Sequence, residues 1–147
     1  MTREAFHGAL REVESNVQQM ADMVAYAIGV AMDALKKRDI EASKKIVRDD
    51  AHINKKRFDI EEQCIRLIAT QQPMAGDLRT IASVINIITD LERIGDHAEG
   101  IAKISVSIGD APLVKPLIEM PKMSEKALSM LSRCMKAFIE RDAEAAK

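Results

Sequence analysis

The sequence predicts an all-α protein, an antiparallel bundle of long amphipathic helices. Three observations predict it. Apolar residues recur every three or four positions over long stretches, aromatic residues make up only 3% of the chain, and methionine occurs nine times among 147 residues. A core of Leu, Ile, Val, Met and Ala favours packed helices over a β-sandwich. Long helices joined by short turns can bury their apolar stripes only by lying side by side.

The first two predicted helices form a hairpin. Helix one spans about Thr2 to Lys37, with Thr2 as its N-cap, and helix two spans about Ile40 to Thr70, with Asp39 as its N-cap. In helix one the apolar positions step by three and four, which is the helical period: Leu10, Val13, Val17, Met20, Val24, Ala27, Ala31 and Leu35. In helix two the seam follows heptad spacing: Ile46, Ile53, Ile60 and Leu67.

A turn around Pro73 and Gly76 leads to helix three, predicted from about Asp77 to Ser105. Its core-facing positions are Ile81, Val84, Ile88, Leu91, Ala98 and Ile101. Residues 107–116 contain one glycine and two prolines and are predicted to be a linker. Helix four should run from about Leu117 to Glu140. Its apolar stripe is Leu117, Met120, Met123, Ala127, Met130, Leu131, Cys134 and Phe138.

An internal repeat relates the two ends of the chain. The segments KRDIEASK (37–44) and ERDAEAAK (140–147) match at an offset of 103 residues, and the apolar seams of helices one and four stay in phase at that offset. The sequence therefore predicts a first three-helix repeat (1–106), a linker (107–116), and the first helix and start of the next helix of a second, incomplete repeat (117–147). We expect the sequence to be part of a longer protein.

Helix three carries an acidic stripe. Glu92, Asp96 and Glu99 follow one another at spacing four and three, so a helix places them on one face. Like charges four residues apart destabilise a helix by about 0.2–0.5 kcal/mol. If the chain reverses near residue 73, position i of helix two lies level with about 146 − i of helix three. Asn54 would then face Glu92, and Asp50 would face Asp96.

The converging oxygen atoms predict a metal site. Carboxylates suit a hard cation such as Mg²⁺, Mn²⁺ or Ca²⁺, or iron, better than zinc on thiolates. We expect Glu92 and Asp96 to be the primary ligands, and Asp50, Asn54 and Glu99 to be secondary candidates. Gly95 would leave room beside them. The alternative is a solvated acidic face on which Arg57 and Arg93 supply the counter-charges.

Composition excludes several function classes. A formal net charge of −1 gives no electrostatic reason to expect a nucleic-acid partner. The N-terminus lacks the apolar core of a signal peptide, and the longest apolar run, Met23 to Met32, is too short for a membrane span. We therefore expect a cytoplasmic protein. The two cysteines, Cys64 and Cys134, lie on apolar stripes and are predicted to be buried, reduced thiols.

At this point the sequence resembles a known family. The segment 72–103, QPMAGDLRTIASVINIITDLERIGDHAEGIAK, is similar to the third helix of the PhoU family of bacterial phosphate-uptake regulators, whose signature E-x-x-x-D corresponds to Glu92 and Asp96. The opening MTREAF and the QP-x-x-x-DLR turn also resemble that family. The resemblance implies two three-helix repeats. It also implies a cytoplasmic repressor of the phosphate-starvation response that docks to the phosphate transporter ATPase subunit and to the phosphate-sensing histidine kinase.

The resemblance leaves the metal open. Some family members carry iron clusters on their E-x-x-x-D faces, whereas others show no metal. This chain departs from the family pattern at Asn54, where helix two usually carries an aspartate. A second E-x-x-x-D, expected in the sixth helix of a complete family member, lies outside the sequence, so one site at most is expected here.

Two other functions compete with a regulator, and neither is favoured. A di-metal carboxylate enzyme needs two E-x-x-H pairs on facing helices; this chain has none, and only one D-x-x-H, at Asp49 and His52. A histidine phosphotransfer bundle would use His52 as its exposed reactive group. No nucleophile triad or phosphate-cradling glycine loop is present in the sequence, so we predict that the protein is not an enzyme.

The fourth helix also predicts self-association. In a complete second repeat its apolar stripe would be covered by two further helices. We therefore expect the stripe to be buried against another copy of the chain, in a homo-oligomer centred on Met120, Met123, Met130 and Phe138.

Overall fold

The computed structural model describes residues 3–147, and it contains four α-helices. These are α1 (Arg3–Lys37), α2 (Ile40–Gln71), α3 (Ala75–Ile108) and α4 (Glu119–Glu140). The described residues contain no β-strand, so the all-α prediction is confirmed. The first three helices pack against one another, and α4 packs against α1.

The helix ends differ from the predicted ones by three residues or fewer. The α2–α3 turn is only residues 72–74, because Gln72 adopts a left-handed conformation after α2 and extended Met74 starts α3. Helix α3 therefore begins two residues before Asp77. It also continues beyond Ser105, until Gly109 with φ of 57° donates its N–H to the Ser105 carbonyl at 3.1 Å. The predicted N-cap Thr2 lies outside the described residues. The predicted cap Asp39 is confirmed, since its side chain accepts the Ala42 N–H.

The core lies among α1, α2 and α3. Its largest fully buried side chains come from all three helices and include Met20 and Val17 of α1, Ile60 of α2, and Ile81 and Ile88 of α3. Each such side chain contributes about 1.5–3 kcal/mol to folding. Because α1 is the only one of the described helices that packs against each of the other three, it is the central element of the molecule.

The turns that follow α1 and α4 have the same geometry. Arg38 and Arg141 adopt left-handed conformations, with φ of 59° and 56°. The next residue is an aspartate in both turns, Asp39 and Asp142. Its amide donates to the carbonyl five residues back, at 2.8 and 2.9 Å, and its Oδ1 accepts the N–H three residues ahead, at 3.0 Å in both. Equivalent residues are 103 apart, which is the offset of the sequence repeat.

The same two arginines tie distant segments together through their side chains. The guanidinium of Arg38 donates to the carbonyl of Asp110 in the α3–α4 linker. The guanidinium of Arg141 donates to Thr80 Oγ1 of α3 at 3.2 Å and to Glu14 Oε1 of α1 at 2.9 Å. The linker is therefore anchored at one end of the bundle, and the C-terminal end of α4 is anchored at the other.

Helix α4 is the least buried of the four helices. Only Met135 and Ala137 of α4 are buried, and Met123 and Met130 remain 66% and 64% exposed. Cys64 is buried as predicted, but the prediction for Cys134 is wrong, because this thiol is exposed. The reason is that α4 packs through Met135 on α1, which leaves the side of α4 that carries Cys134 uncovered.

Candidate metal site on the α2–α3 face

The register between α2 and α3 places the polar side chains of the site. The hydroxyl groups of Ser43 and Ser105 lie 3.0 Å apart, and Ile53 packs against Gly95. Position i of α2 therefore meets 148 − i of α3, not 146 − i. The shift has a physical cause. Helical side chains lean toward the N-terminus of their own helix, so each covers a spot about one residue before its Cα. In an antiparallel pair the two one-residue offsets add, so the register between the helices shifts by two residues.

Three carboxylates converge on this face. One oxygen from each of Asp50, Asp96 and Glu99 lies within 4.8 Å of the others. Asp50 comes from the middle of α2, whereas Asp96 and Glu99 are three residues apart on α3. Among the described residues this is the only group of three or more His, Cys, Asp and Glu side chains with that spacing. We refer to it as the carboxylate cluster.

Asp50 is the deeply placed member of the carboxylate cluster. It is 8% exposed, and its Oδ2 accepts a hydrogen bond from Asn54 Nδ2 at 3.0 Å. Its Oδ1 is buried and has no hydrogen-bond partner among the described residues. Burial, followed by the negative charge of Glu99, raises the pKa of Asp50 above its ordinary value, while the Asn54 hydrogen bond acts in the opposite direction. When Asp50 is ionised, no hydrogen bond from the described residues stabilises the negative charge at Oδ1.

The two α3 members of the cluster are more accessible. Asp96 is exposed, and Glu99 is half-buried. Glu99 accepts from Lys103 Nζ at 2.7 Å, one helical turn further along α3. This hydrogen bond is the main reason that the pKa of Lys103 is raised. The positive charge of one exposed lysine, Lys103, therefore offsets only part of the combined negative charge of the three carboxylates.

Glu92 lies beside the cluster and is not part of it. Its Oε2 is 2.8 Å from Arg57 Nε, an ion pair without the alignment of a hydrogen bond. Asn54 was expected to face Glu92, but Arg57 holds Glu92 and Asn54 donates to Asp50. The shifted register explains the difference, because it moves the α2 position that meets Glu92 from Asn54 to residue 56, next to Arg57. Of the two expected counter-charges, Arg57 is at the site, whereas Arg93 pairs weakly with Asp90 of its own helix, at 4.0 Å.

Gly95 is where α2 and α3 come close. A Cβ at this position would lie 3.3 Å from Ile53 Cγ2 and 3.7 Å from Asp50 Oδ1. A contact of 3.3 Å is tighter than ordinary van der Waals separation, so any larger residue at this position would press on the Ile53 side chain. The glycine between Glu92 and the cluster therefore allows α2 to bring its carboxylate up to α3.

A cavity of about 530 Å³ adjoins the site, and sequence reasoning missed several residues that line it. Asp50 and Glu99 line the cavity together with Asp22 and Tyr26 of α1 and His52 of α2. The α1 residues lie off the apolar stripe of that helix, so the periodicity that located the helix carried no signal for them. Only the packing of α1 against α2 and α3 brings them to the cavity.

The cluster supplies oxygen atoms of the kind that a bound cation needs as ligands. Asp50 lies beside two further carboxylates, and its buried Oδ1 has no hydrogen-bond partner among the described residues. This arrangement fits a hard cation, which prefers oxygen ligands. The histidine considered for phosphotransfer, His52, is exposed on α2 and lines the cavity. Its neighbour Asp49 is held by Lys45 Nζ at 2.8 Å. The pair Asp49 and His52 thus belongs to the rim of the cavity and not to the carboxylate cluster.

Comparison with known proteins identifies the domain. The family model described as "PhoU domain" matches residues 17–105, which include the whole of α2 and all members of the carboxylate cluster. The chain is 39% identical over 138 residues to the "Phosphate-specific transport system accessory protein PhoU homolog" of Aquifex aeolicus. It is 37% identical over 147 residues to the protein of the same name from Clostridium acetobutylicum.

Solved structures show the same fold. The crystal structure of the phosphate transport system regulatory protein PhoU from Streptococcus pneumoniae matches with a TM-score of 0.87 at 32% identity, over 95% of this chain and 66% of that one. PhoU from Pseudomonas aeruginosa matches with a TM-score of 0.89 at 29% identity. The chain covers 62% of the Aquifex relative and 67% of the Clostridium relative, so it spans about three fifths to two thirds of their length.

Proposed function

Because this chain belongs to the PhoU family, we propose that it is a regulatory accessory component of a phosphate transport system and represses the phosphate-starvation response. The match of residues 17–105 to the PhoU domain carries this proposal. The names of the Aquifex and Streptococcus proteins support it, since both refer to phosphate transport. We propose a non-catalytic role, because no constellation of nucleophile, base and oxyanion donors emerged from the sequence.

The proposed mode of action is docking in the cytoplasm. The partners would be the ATPase subunit of the phosphate transporter and the phosphate-sensing histidine kinase. The shape of the protein supports this role, because three helices of more than 30 residues present long, rigid polar faces. Within residues 3–147, none of the helices has the length and apolarity to cross a membrane.

A reporter strain tests the regulatory role. The chain would be expressed in a bacterium that lacks its own PhoU and carries a reporter of phosphate-starvation genes. We expect it to lower reporter activity, and we expect charge reversal at one or more of the exposed residues Arg11, Arg48 and Arg79 to relieve repression with unchanged thermal melting. Failure of the wild-type chain to repress would refute the proposal. Turnover of a phosphorylated substrate that is lost with His52→Ala would instead support phosphotransfer.

We also propose that the carboxylate cluster binds a divalent cation or iron. Asp50, Asp96 and Glu99 would be the direct ligands. Asn54 would orient Asp50 through their hydrogen bond. Glu92 would contribute its charge from one turn away and would become a ligand only if Arg57 released it. The buried, unpartnered Asp50 Oδ1 supports this assignment, because an isolated buried carboxylate oxygen is unfavourable unless a cation or a donor approaches it.

Thermal melting with added Mn²⁺ tests this site. A cation at 100 times its dissociation constant stabilises the folded state by about 2.7 kcal/mol, which corresponds to about 5–10 °C for a protein of this size. We expect this rise in the wild type but not in an Asp50→Asn, Asp96→Asn double variant. Asp59→Asn is the matched control, because Asp59 is an exposed α2 aspartate that pairs with Lys55 at 2.7 Å. Equal rises in all three proteins would exclude the site. Elemental analysis of protein purified without chelator would identify the metal.

We further propose that the chain forms a homo-oligomer through α4. Exposed methionines on that helix support this, because an apolar stripe of this size is normally covered.

A further inference from the structure

The cavity next to the carboxylate cluster extends well beyond it. It encloses about 530 Å³ and is lined by residues of α1, α2 and α3. Asp50 and Glu99 belong to both features, whereas Asp96 does not line the cavity and the α1 residues Asp22 and Tyr26 do. The cavity is therefore a second candidate site, which overlaps the metal site at Asp50 and Glu99 and reaches from there to α1.

The cavity has a negative charge that its own residues leave largely uncompensated. Apart from His52, its charged side chains are four carboxylates and one lysine: Asp22, Asp49, Asp50, Glu99 and Lys45. The ammonium group of Lys45 is held by Asp49, at 2.8 Å. Asp22 accepts from a neutral donor, Gln18 Nε2, at 2.9 Å, and the buried Asp50 Oδ1 has no hydrogen-bond partner among the described residues. This charge distribution favours a cation as the ligand.

The walls of the cavity are apolar, which a metal ion does not require. Met23 of α1 and Ile46 and Ile53 of α2 line it, and both isoleucines are buried. An alkyl chain is stabilised by leaving water for such a wall, whereas a metal ion with oxygen ligands is not. Tyr26 is 65% exposed and therefore lies at the opening, where its aromatic ring can attract an ammonium group. Apolar walls between carboxylates fit an aliphatic amine.

We propose that this cavity binds an aliphatic ammonium ion, with one ammonium group at Asp50 and Glu99 and the alkyl chain along the apolar wall. In a diamine, the second ammonium group would reach Asp22 and Tyr26. Neighbouring helix axes lie about 8–10 Å apart, a distance that a chain of roughly four to five methylene groups can span. Two sources supply this chemistry: a free diamine, and a lysine side chain of a docking partner. Since a lysine side chain has one ammonium group, it would leave Asp22 unused.

Titration with cadaverine, followed by tyrosine fluorescence, tests the proposal. Tyr26 is the single tyrosine of the chain, which contains no tryptophan, so the intrinsic fluorescence observes this cavity directly. The solution contains chelator, because a metal ion would compete for Asp50. We expect saturable binding, with a dissociation constant on the order of 1 mM or lower, and calorimetry should give the same value. Pentanediol, which has the same alkyl chain without charge, should not bind.

Two single variants separate the amine site from the proposed metal site. Asp22→Asn should weaken cadaverine binding about 10-fold through loss of a charge-assisted contact, and it should leave the rise in melting temperature with Mn²⁺ unchanged. Asp96→Asn should do the reverse, because Asp96 belongs to the carboxylate cluster but does not line the cavity. Asp33→Asn is the matched control, since Asp33 is another exposed aspartate of α1 and pairs with Lys37 at 2.8 Å. Failure of Mn²⁺ alone would thus refute the metal site and not the amine site.

A lysine derivative with blocked backbone groups, N-acetyl-lysine methylamide, identifies the source. If cadaverine binds at least about 10-fold more tightly and Asp22→Asn removes this difference, the ligand is a free diamine. Equal affinities assign the cavity to a lysine side chain of a partner. The proposal is overturned if neither amine binds saturably up to about 20 mM, if pentanediol binds equally well, or if Asp22→Asn and Asp50→Asn both leave binding unchanged. None of these outcomes bears on the repression assay, since the amine site does not rest on the phosphate-related function.

Discussion

Alanine substitutions at Gly95 and Gly100 of α3 distinguish a glycine that a close helix–helix contact requires from a glycine that makes no such contact. A Cβ added at Gly100 would meet nothing within 4 Å among the described residues, whereas a Cβ on Gly95 would lie 3.3 Å from Ile53 Cγ2 and 3.4 Å from Ile53 Cδ1. Alanine is favoured over glycine in a helix by about 0.8–1 kcal/mol. Gly100→Ala should gain all of this, which raises the melting temperature by about 2–4 °C.

Gly95→Ala should show no net gain in stability, despite the same gain in helix propensity. Overpacking a tight core typically costs about 1–3 kcal/mol, so the net change lies between about zero and a loss of 2 kcal/mol. Urea unfolding followed by circular dichroism at 222 nm would measure both variants. A double-mutant cycle with Ile53→Ala gives the physical cause, because Gly95→Ala should be less harmful once Ile53 is shortened. Equal stabilisation by the two alanines would refute a close α2–α3 approach at Gly95.

Further predictions concern single side chains. The pKa of Asp50 is higher in the folded state than in the unfolded state. Without metal, the free energy of unfolding should therefore fall as pH rises from about 4 through the folded-state pKa. In urea titrations with chelator, the Asp50→Asn variant should not show that fall and should be more stable than the wild type at pH 7. Burial raises the pKa of Cys64 to about 11, so iodoacetamide followed by mass spectrometry should label Cys134 rapidly and Cys64 only in denaturant. Arg141→Ala removes the hydrogen bond to Glu14 and should cost about 0.5–1.5 kcal/mol in unfolding free energy, whereas no change would mean that this anchor contributes nothing.

The helices were predictable because each one produces a periodic pattern of apolar residues in its own stretch of sequence. Apolar residues that recur every three or four positions, or every seven in α2, located the helices, and Asp39 marked the start of α2 by its capping chemistry. The errors fall where local pattern is silent. Gly76 and Pro73 looked equally disruptive in the sequence, but Gly76 is accommodated in the first turn of α3, so the turn shrinks to residues 72–74. Helix ends are decided by such small differences in backbone preference.

The candidate site was predictable in composition and less so in geometry. Counting along a hairpin brought the right faces of α2 and α3 together, and it matched Asp50 with Asp96. It misassigned the partner of Glu92, because residues whose Cα atoms lie at the same height on two antiparallel helices do not have side chains that meet. It also could not find that Asp50 Oδ1 is unpartnered, since that depends on where Asn54 points. The exposure of Cys134 was missed because an apolar stripe indicates which residues are apolar, not whether a neighbouring helix covers them.

Among the described helices, α4 packs closely only on α1 and is otherwise held by the Arg141 hydrogen bonds to α1 and α3. We therefore expect it to be a unit of lower stability than the other three helices. Opening α4 breaks its packing on α1 and the Arg141 anchor, yet it leaves the packing among α1, α2 and α3 intact. Regions with few buried apolar contacts open at a lower free-energy cost than the global core. Backbone amides of α4 should therefore exchange with deuterium through a sub-global opening, while those near Ile60 and Ile88 exchange only on complete unfolding. A partner that binds α4 would slow deuterium exchange of the α4 amides before that of the other helices. The exchange rate of these amides therefore reports whether α4 is bound.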